Sequence, residues 1–378
     1  MTSKERMICA LDRKIPDCLP VTTHDVMPSF LVQYQNGIGA QEFLQKYGFD
    51  PILRINVFQA EPGQWMEIIN GMPMVVSNSW RISVEELRGT EYETRRFTIA
   101  TPGGDLTMVL QKNIYTAWVY EPLVKEKRDF ELISRFAPWY RVDTEALNSA
   151  AKEYGDRGLV RGMVPNFEIY GQPGCWQDLA CLLGIEKLIY ATYDDPQWVH
   201  AALAFLRDRK LHYVESLEGA AYDLISLGGG DASTTVISPS IFREFVSPYD
   251  AAIIEVARKV NQRIVYHTCG GMMPILEDIA DMQPHAVETL TPPGMGGDVD
   301  LKEVKRRIGS RVCLIGGFDQ GRYFTESTLQ ETREKVREAF DAAGSNGGFI
   351  ISPSDHFFAA RDNLLRAFVD EAHKCVYM

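Results

Sequence analysis

The sequence predicts an α/β fold, and within that class a (β/α)8 TIM barrel with an N-terminal β-hairpin or meander extension. Strand-like and helix-like segments alternate at least five times after residue 158, and repeated β-then-α units require a parallel sheet covered by helices. Polar residues follow the carboxyl ends of these strands, which converge on one mouth in a barrel. A β-prone stretch at 64–120 precedes the alternation and predicts the extension. A doubly wound open sheet is the alternative architecture.

Length, composition and charge bound the class of protein. The 378 residues suffice for one large barrel or two ordinary domains, and no Ser/Gly-rich linker divides them, so we expect one domain over 1–378 with 64–120 as an extension or insertion. A hydrophobic content of 45% and a charged content of 24% are typical of soluble globular proteins. The net charge of −12 argues against nucleic acid or anionic membranes as main partners.

The N-terminal residues and the cysteines indicate in which cellular compartment the protein is expected. No apolar run has the length of a signal peptide or a membrane span. The seven cysteines are scattered and odd in number, which argues against a disulfide framework. We therefore expect a cytoplasmic protein.

The N-terminal half is predicted to hold one helix, one strand and the extension. Residues 5–21 predict a short amphipathic helix that stops near Pro16, and a first strand follows Pro20. His24 and Asp25 lie just beyond that strand, where a histidine is most often only solvated. The β-prone segments of the extension are 74–76, 91–99 and 106–110, with a turn at 101–105.

The C-terminal part carries the strand–helix alternation. Its predicted strands are 159–164, 223–227, 264–269, 285–290, 312–315 and 348–351. Its predicted helices are 178–183, 196–217, one that includes 242–245, 249–260, 273–282, 301–308, 325–343 and 362–376. Ser238 and Pro239 form the N-cap-plus-proline signature that opens the third of these helices.

Five of these strands place ionisable side chains at their carboxyl ends, which favours an enzyme. The side chains are Asp231, His267 with Cys269, Glu288, Asp319, and Asp355 with His356. His267 and Cys269 are two apart in extended chain and point the same way, and imidazole and thiolate both bind a borderline-soft metal such as zinc. The alternative is a buried strand end with a hydrogen-bonded histidine and a cysteine that acts as a small hydrophobe.

The carboxylates leave their roles open. Asp231 follows three glycines, which let backbone and ligand approach closely, and it is either a substrate-orienting group or a turn residue. Glu288 is a third ligand, a general base or the partner of a rim arginine. Neither G-x-S-x-G nor H-E-x-x-H occurs, which disfavours α/β-hydrolases and zincins.

An ordered set of segments resembles the uroporphyrinogen decarboxylase superfamily over nearly the whole chain. The segments are 4–21, 230–248, 267–270 and 314–319. The resemblance implies a (β/α)8 barrel. Decarboxylases of this superfamily carry an Arg-rich N-terminal signature for a tetrapyrrole with many carboxylates. Here the region 23–29 has no arginine, and none lies between Arg13 and Arg54, so a polyanionic substrate has little to neutralise it.

The other branch that the chain resembles is that of the corrinoid-linked methyltransferases of the methylcobamide:coenzyme M type. These bind zinc through an H-x-C pair and a distant Cys near the last strand. His267 and Cys269 match the pair, whereas the last strand ends in Ser354-Asp355-His356 without a cysteine. The resemblance then leaves Asp355 or His356, and less readily Glu288, to complete the ligand set.

The resemblance implies a zinc-dependent methyltransferase. It would move a methyl group between a small molecule (a methoxy, methylamine or thiol compound) and a corrinoid on a partner protein, with Asp231 orienting the substrate or a neighbouring group. The alternatives are a divergent decarboxylase and a non-catalytic barrel that binds a tetrapyrrole or corrinoid.

Overall fold

The computed structural model describes residues 1–167 and 169–377. The strands are β1 (Ile52–Arg54), β2 (Phe58–Ala60), β3 (Gln64–Ile69), β4 (Met72–Ser77), β5 (Arg81–Leu87), β6 (Glu93–Thr101), β7 (Gly104–Lys112), β8 (Ala117–Glu121), β9 (Tyr140–Val142), β10 (Leu159–Met163), β11 (Leu224–Gly228), β12 (Ile264–His267), β13 (Ala286–Thr289), β14 (Cys313–Phe318) and β15 (Phe349–Pro353).

Helices alternate with these strands. They are α1 (Ser3–Leu11), α2 (Pro28–Tyr34), α3 (Ala40–Tyr47), α4 (Lys127–Phe136), α5 (Thr144–Tyr154), α6 (Cys175–Leu183), α7 (Ile185–Asp194), α8 (Pro196–Glu215), α9 (Pro239–Ile241), α10 (Ser247–Lys259), α11 (Leu276–Asp281), α12 (Leu301–Ile308), α13 (Gln320–Tyr323), α14 (Leu329–Ala343) and α15 (Asp362–Lys374). No helix of the described residues is long and apolar enough to cross a membrane.

The main sheet is parallel and closes on itself. Its seven strands run in the order β1-β10-β11-β12-β13-β14-β15. Val21 forms a parallel bridge with Ile351 at the β15 edge. Val21 O also accepts a 2.7 Å hydrogen bond from the backbone N–H of Asp50, just ahead of β1. The segment around Val21 therefore spans the gap between the two edges, and the predicted barrel class is confirmed.

Antiparallel strands precede the alternation, as predicted. β3 pairs with β4, β2 pairs with β9, and β5-β6-β7-β8 form a four-stranded sheet. β6 and β7 meet at a turn in which Thr101 is paired with Gly104. This β-rich region provides the N-terminal extension of the predicted fold class.

Several predicted helices have different bounds in the structure, and α2 to α5 and α7 lie where no helix is predicted. α1 begins with a capping box between Thr2 and Glu5 and ends at Leu11, well before Pro16, because Arg13 turns the chain with a φ of 57°. Between 239 and 259 the sequence predicts two helices, whereas α9, a π-helical turn at Phe242–Val246 and α10 follow one another without a break. Pro248, which has no N–H to donate, stands just after the π turn.

The amino-terminal end of the barrel is covered by α1. Met7, Ala10 and Leu11 of this helix are buried against residues at the beginnings of the strands, among them Leu159 and Leu224. The opposite end, where the strands finish, is the mouth of the barrel.

A buried polar network lies outside the sheet below the mouth. Asp250 on α10 accepts hydrogen bonds from the Cys175 backbone N–H and from Tyr266 Oη, both at 3.2 Å. Burial raises the pKa of Asp250 from 3.8 to about 6, because these hydrogen bonds only partly offset the loss of hydration. The network joins the start of α6 to β12, the strand that ends in His267.

The raised pKa predicts a pH dependence of stability that Asp250→Asn removes. The folded state holds the Asp250 proton more tightly than the unfolded chain, so this group makes the free energy of unfolding fall as pH rises from about 4 to about 6. Over that window we expect the stability of Asp250→Asn relative to wild type to rise by ~3 kcal/mol, at 1.36 kcal/mol per pKa unit. Urea unfolding at several pH values measures it. Tyr266→Phe keeps the carboxyl group and removes a hydrogen bond that lowers its pKa, so it should show at least the wild-type slope; a wild-type slope in Asp250→Asn would contradict the prediction.

Candidate functional site

A buried ion pair crosses the interior of the barrel. Arg161 of β10 donates to both oxygens of Glu288 on β13, with Nη1–Oε2 and Nη2–Oε1 distances of 2.9 and 2.5 Å. Arg161 Nε also donates to Ser226 Oγ at 2.8 Å. The two charged side chains are each only 4% exposed. Burial alone would raise the pKa of Glu288, but the Arg161 charge and the hydrogen bonds hold it well below its usual range.

His267 stands beside Glu288 at the mouth. The sheet register pairs His267 of β12 with Glu288 of β13, and His267 Nδ1 lies 3.1 Å from Glu288 Oε1. Burial lowers the pKa of His267, but hydrogen bonds with Cys269 and Glu288 outweigh it and raise the pKa to about 10. The carboxylate therefore fixes the orientation of the imidazole ring.

Cys269 lies next to His267, as the H-x-C spacing predicts. The strand assignment ends at His267, two residues earlier than predicted, and the backbone N–H of Thr268 makes one further bond to Glu288 O at 3.2 Å. A Cβ at Gly230 would lie 2.7 Å from Cys269 Sγ. Only glycine at position 230 leaves room for the thiol there.

Asp231 is held rigidly at the end of β11. Gln177 donates from Nε2 to Asp231 Oδ2 at 2.6 Å and accepts from the Asp231 backbone N–H at 2.7 Å. Trp176 Nε1 donates to the Asp231 carbonyl oxygen at 3.1 Å. No described residue forms a hydrogen bond with Asp231 Oδ1, which is therefore available to a ligand.

His24, from the segment that closes the barrel, reaches the same place. Its ring centroid is 5.2 Å from that of His267 and 4.9 Å from that of His356. Burial lowers the pKa of His24 to about 3, although the Glu288 charge opposes this. The His24 carbonyl oxygen accepts a 2.8 Å hydrogen bond from Arg54 Nη2.

Asp355 and His356 form a second group at the rim. His356 Nδ1 is 3.0 Å from Asp355 Oδ1, and His356 Nε2 is 3.8 Å from Asp25 Oδ2. Burial lowers the pKa of His356, but Asp25 and Asp355 outweigh it and raise the pKa to about 9. Asp25 is also paired with Arg54 Nε at 2.5 Å.

Two groups of side chains in the described part of the chain can bring ligand atoms within 4.8 Å of one another. The first is His24, His267 and Glu288, and the second is His24, Asp355 and His356. Of the ligands predicted from the sequence, His267 falls in the first group, Asp355 and His356 fall in the second, and Cys269 falls in neither.

A cavity of about 360 Å³ opens beside these groups, between the segment around His24 and β1. Thr22, Thr23, His24, Asp25 and Arg54 are among its lining residues. The hydroxyls of Thr22 and Thr23 are buried and have no hydrogen-bond partner among the described residues. Such groups are available to a polar ligand.

Sequence reasoning missed the parts played by His24 and Arg161. His24 follows the segment predicted as the first strand, as His356 follows the last strand, and first and last strands are neighbours in a closed barrel; that adjacency was the usable signal. In the structure the segment before His24 forms only an isolated bridge, at Val21. Arg161 lies inside a strand rather than at its end, so the search for polar strand ends passed over it.

Comparison with known families gives one match over more than half of the chain. Residues 165–375 match the family model described as uroporphyrinogen decarboxylase (URO-D). The matched part begins after the antiparallel extension and includes β11 to β15, hence Asp231, His267, Cys269 and Glu288.

Individual relatives carry two different names. The uroporphyrinogen decarboxylase of Chlorobaculum tepidum is 26% identical over 162 residues, which cover 42% of this chain and 44% of that protein. The methylcobamide:CoM methyltransferase MtaA of Methanosarcina barkeri is 30% identical over 152 residues, which cover 40% and 41%. The chain thus spans less than half the length of either relative. A solved methyltransferase from Methanosarcina mazei shares the fold, with a TM-score of 0.63, 15% identity and 99% coverage of both chains.

The Arg161–Glu288 pair gives a prediction about stability. Arg161→Met leaves the Glu288 carboxylate buried without its countercharge, and we expect a loss of about 3–5 kcal/mol in the free energy of unfolding. The double variant Arg161→Met/Glu288→Met removes both charges and should recover most of that loss, because no buried charge is left unpaired. Urea unfolding at pH 7 measures both. A double variant no more stable than Arg161→Met would contradict this account.

Proposed function

The chain belongs to the uroporphyrinogen decarboxylase family, and from that membership we propose that it is a zinc-dependent methyltransferase. It moves a methyl group between a small molecule and a corrinoid carried by a partner protein. The observation that carries the proposal is the contact of His267 Nδ1 with Glu288 Oε1 at the barrel mouth, with Cys269 two residues beyond His267 in the chain. The relative named methylcobamide:CoM methyltransferase supports the choice of this branch.

The residues present fit a zinc ion. Two zinc ligands with bonds of about 2.0 Å at tetrahedral angles stand about 3.3 Å apart, and His267 Nδ1 and Glu288 Oε1 are 3.1 Å apart. Arg161 holds Glu288 from behind, as partners of metal-binding carboxylates commonly do. A zinc ion bound there supplies a Lewis acid for the heteroatom that carries or accepts the methyl group.

The other rim residues have distinct tasks in this proposal. Asp231, fixed by Gln177, orients the small molecule through its available Oδ1. Asp355 and His356 stand as candidates for a further ligand, in place of the cysteine that the last strand lacks. With fewer thiolates around it, the site favours polarising a methoxy or methylamine donor over activating a thiol acceptor.

The cavity beside His24 supports a small substrate. Drug-sized ligands occupy pockets of about 300–1,000 Å³, and this cavity is at the lower end of that range, at about 360 Å³. Its arginine, Arg54, already pairs with Asp25, so little positive charge is left for a molecule with many carboxylates. The buried hydroxyls of Thr22 and Thr23 suit a small polar molecule instead.

Metal analysis of the purified protein tests the zinc site. We expect about one zinc per chain in wild type and a large loss in His267→Ala and in Cys269→Ala, because each removes a ligand. Cys9→Ala, on α1 at the opposite end of the barrel, is the matched control and should keep the metal. Wild-type protein without stoichiometric zinc would overturn the zinc dependence.

The same preparations test the reaction. We expect free cob(I)alamin to become methylcobalamin, followed by its visible spectrum, when a methoxy, methylamine or methylthio compound is the donor. Release of CO2 from uroporphyrinogen, measured in parallel, should be absent. Decarboxylation without methyl transfer would overturn the proposed reaction and identify a divergent decarboxylase.

The role given to Asp231 predicts a separable defect. Asp231→Ala should lower kcat/KM for methyl transfer by about 100-fold, the cost of losing the orientation of a reactant, while zinc content stays at the wild-type value. Gln177→Ala, which frees the Asp231 carboxylate but keeps it, should give a smaller loss. Full activity in Asp231→Ala would exclude the orienting role.

A further inference from the structure

We propose that His24 is the ligand that takes the place of the missing cysteine, so that His24, His267 and Glu288 hold the metal together. The inference rests on the proposed zinc dependence and assigns a residue that lies more than 200 positions from His267 in the chain. It also lies outside residues 165–375, which match the family model. The ligand therefore comes from the part of the chain that the family model does not match.

The first support is geometric. His24, His267 and Glu288 can place one ligand atom each within 4.8 Å of the other two. The second group that meets this condition, His24 with Asp355 and His356, contains His24 as well. His24 is thus common to both groups found in residues 1–167 and 169–377.

The second support comes from the polar contacts of the two competing imidazoles. His356 has a carboxylate at each ring nitrogen, Asp355 at 3.0 Å and Asp25 at 3.8 Å. Binding a metal through His356 would break one of these contacts. The ring nitrogens of His24 make no hydrogen bond to any described residue, so a metal would displace nothing there.

The third support is that the backbone of His24 is already fixed. Val21 bridges Ile351 and Val26 bridges Phe357, one on each side of His24. Arg54 Nη2 holds the His24 carbonyl oxygen at 2.8 Å. A ligand held by its backbone before the metal arrives loses little conformational entropy on binding.

His24, His267 and Glu288, together with Cys269 of the proposed pair, form a set of four protein ligands. Catalytic zinc sites can expand to five ligands, which leaves a position for the small molecule. The cavity lined by His24, Thr22 and Thr23 lies next to the cluster. His24 therefore connects the metal to the space that we assign to the small molecule.

Zinc affinity and zinc-edge X-ray absorption test the assignment without relying on activity. We expect His24→Gln to bind Zn²⁺ at least ~100-fold more weakly than wild type in competition with a chelating dye, in line with the loss of a ligand. The absorption spectrum should show two imidazoles around the ion in wild type and one in His24→Gln. His356→Gln is the matched control, with an affinity within about twofold of wild type and two imidazoles.

Urea unfolding of the metal-free proteins distinguishes a folding defect in His24→Gln from the loss of a ligand. Because the His24 ring makes no hydrogen bond within the described residues, metal-free His24→Gln and wild type should unfold at similar urea concentrations. Wild-type affinity with two imidazoles in His24→Gln would overturn the assignment, as would a loss confined to His356→Gln; both leave the proposed function standing. Wild type without zinc would instead remove the proposed zinc dependence, and the assignment with it.

Discussion

The ion pair between Arg161 and Glu288 is the constraint on which the mouth of the barrel depends. A carboxylate that is 4% exposed stays ionised only if a cation compensates its lost hydration. Arg161 does this from across the barrel, through both of its terminal nitrogens. The fixed carboxylate in turn orients His267. The orientation of His267, a candidate ligand, therefore depends both on the register of the strands and on the charge of Arg161.

The same electrostatic logic separates the three imidazoles at the mouth. His267 and His356 each face carboxylates, which favour their protonated forms in the absence of a metal. Burial lowers the pKa of His24, and the Glu288 charge does not outweigh it, so His24 stays neutral. The three histidines thus differ in charge according to whether nearby carboxylates outweigh burial, and a count of histidines would not reveal it.

More of the fold than of the candidate site could be predicted from the sequence. Local patterns sufficed for much of the strand–helix alternation: the helix predicted at 301–308 is α12, Leu301–Ile308. They did not reveal α2 to α5, which lie in the N-terminal half, where one helix is predicted. Strand ends sufficed for Asp231, His267 and Glu288, since a barrel brings such ends together. The nearness of His24 to His267 depends instead on closure of the barrel by a segment with only isolated bridges. Isolated bridges of this kind leave no periodic pattern in the sequence. The sequence likewise gives no pattern that identifies the partner of a charged side chain inside a strand, such as Arg161.

Helix α1 determines how ligands can enter and leave the barrel. With Met7, Ala10 and Leu11 packed into the far end, the space below Glu288 shrinks to about 10 Å³, roughly the room of one water molecule. The interior is a pocket that is closed at one end rather than a channel through the barrel. Ligands therefore enter and leave through the mouth alone. Two reactants that meet in the barrel either bind there side by side or bind and leave one after the other.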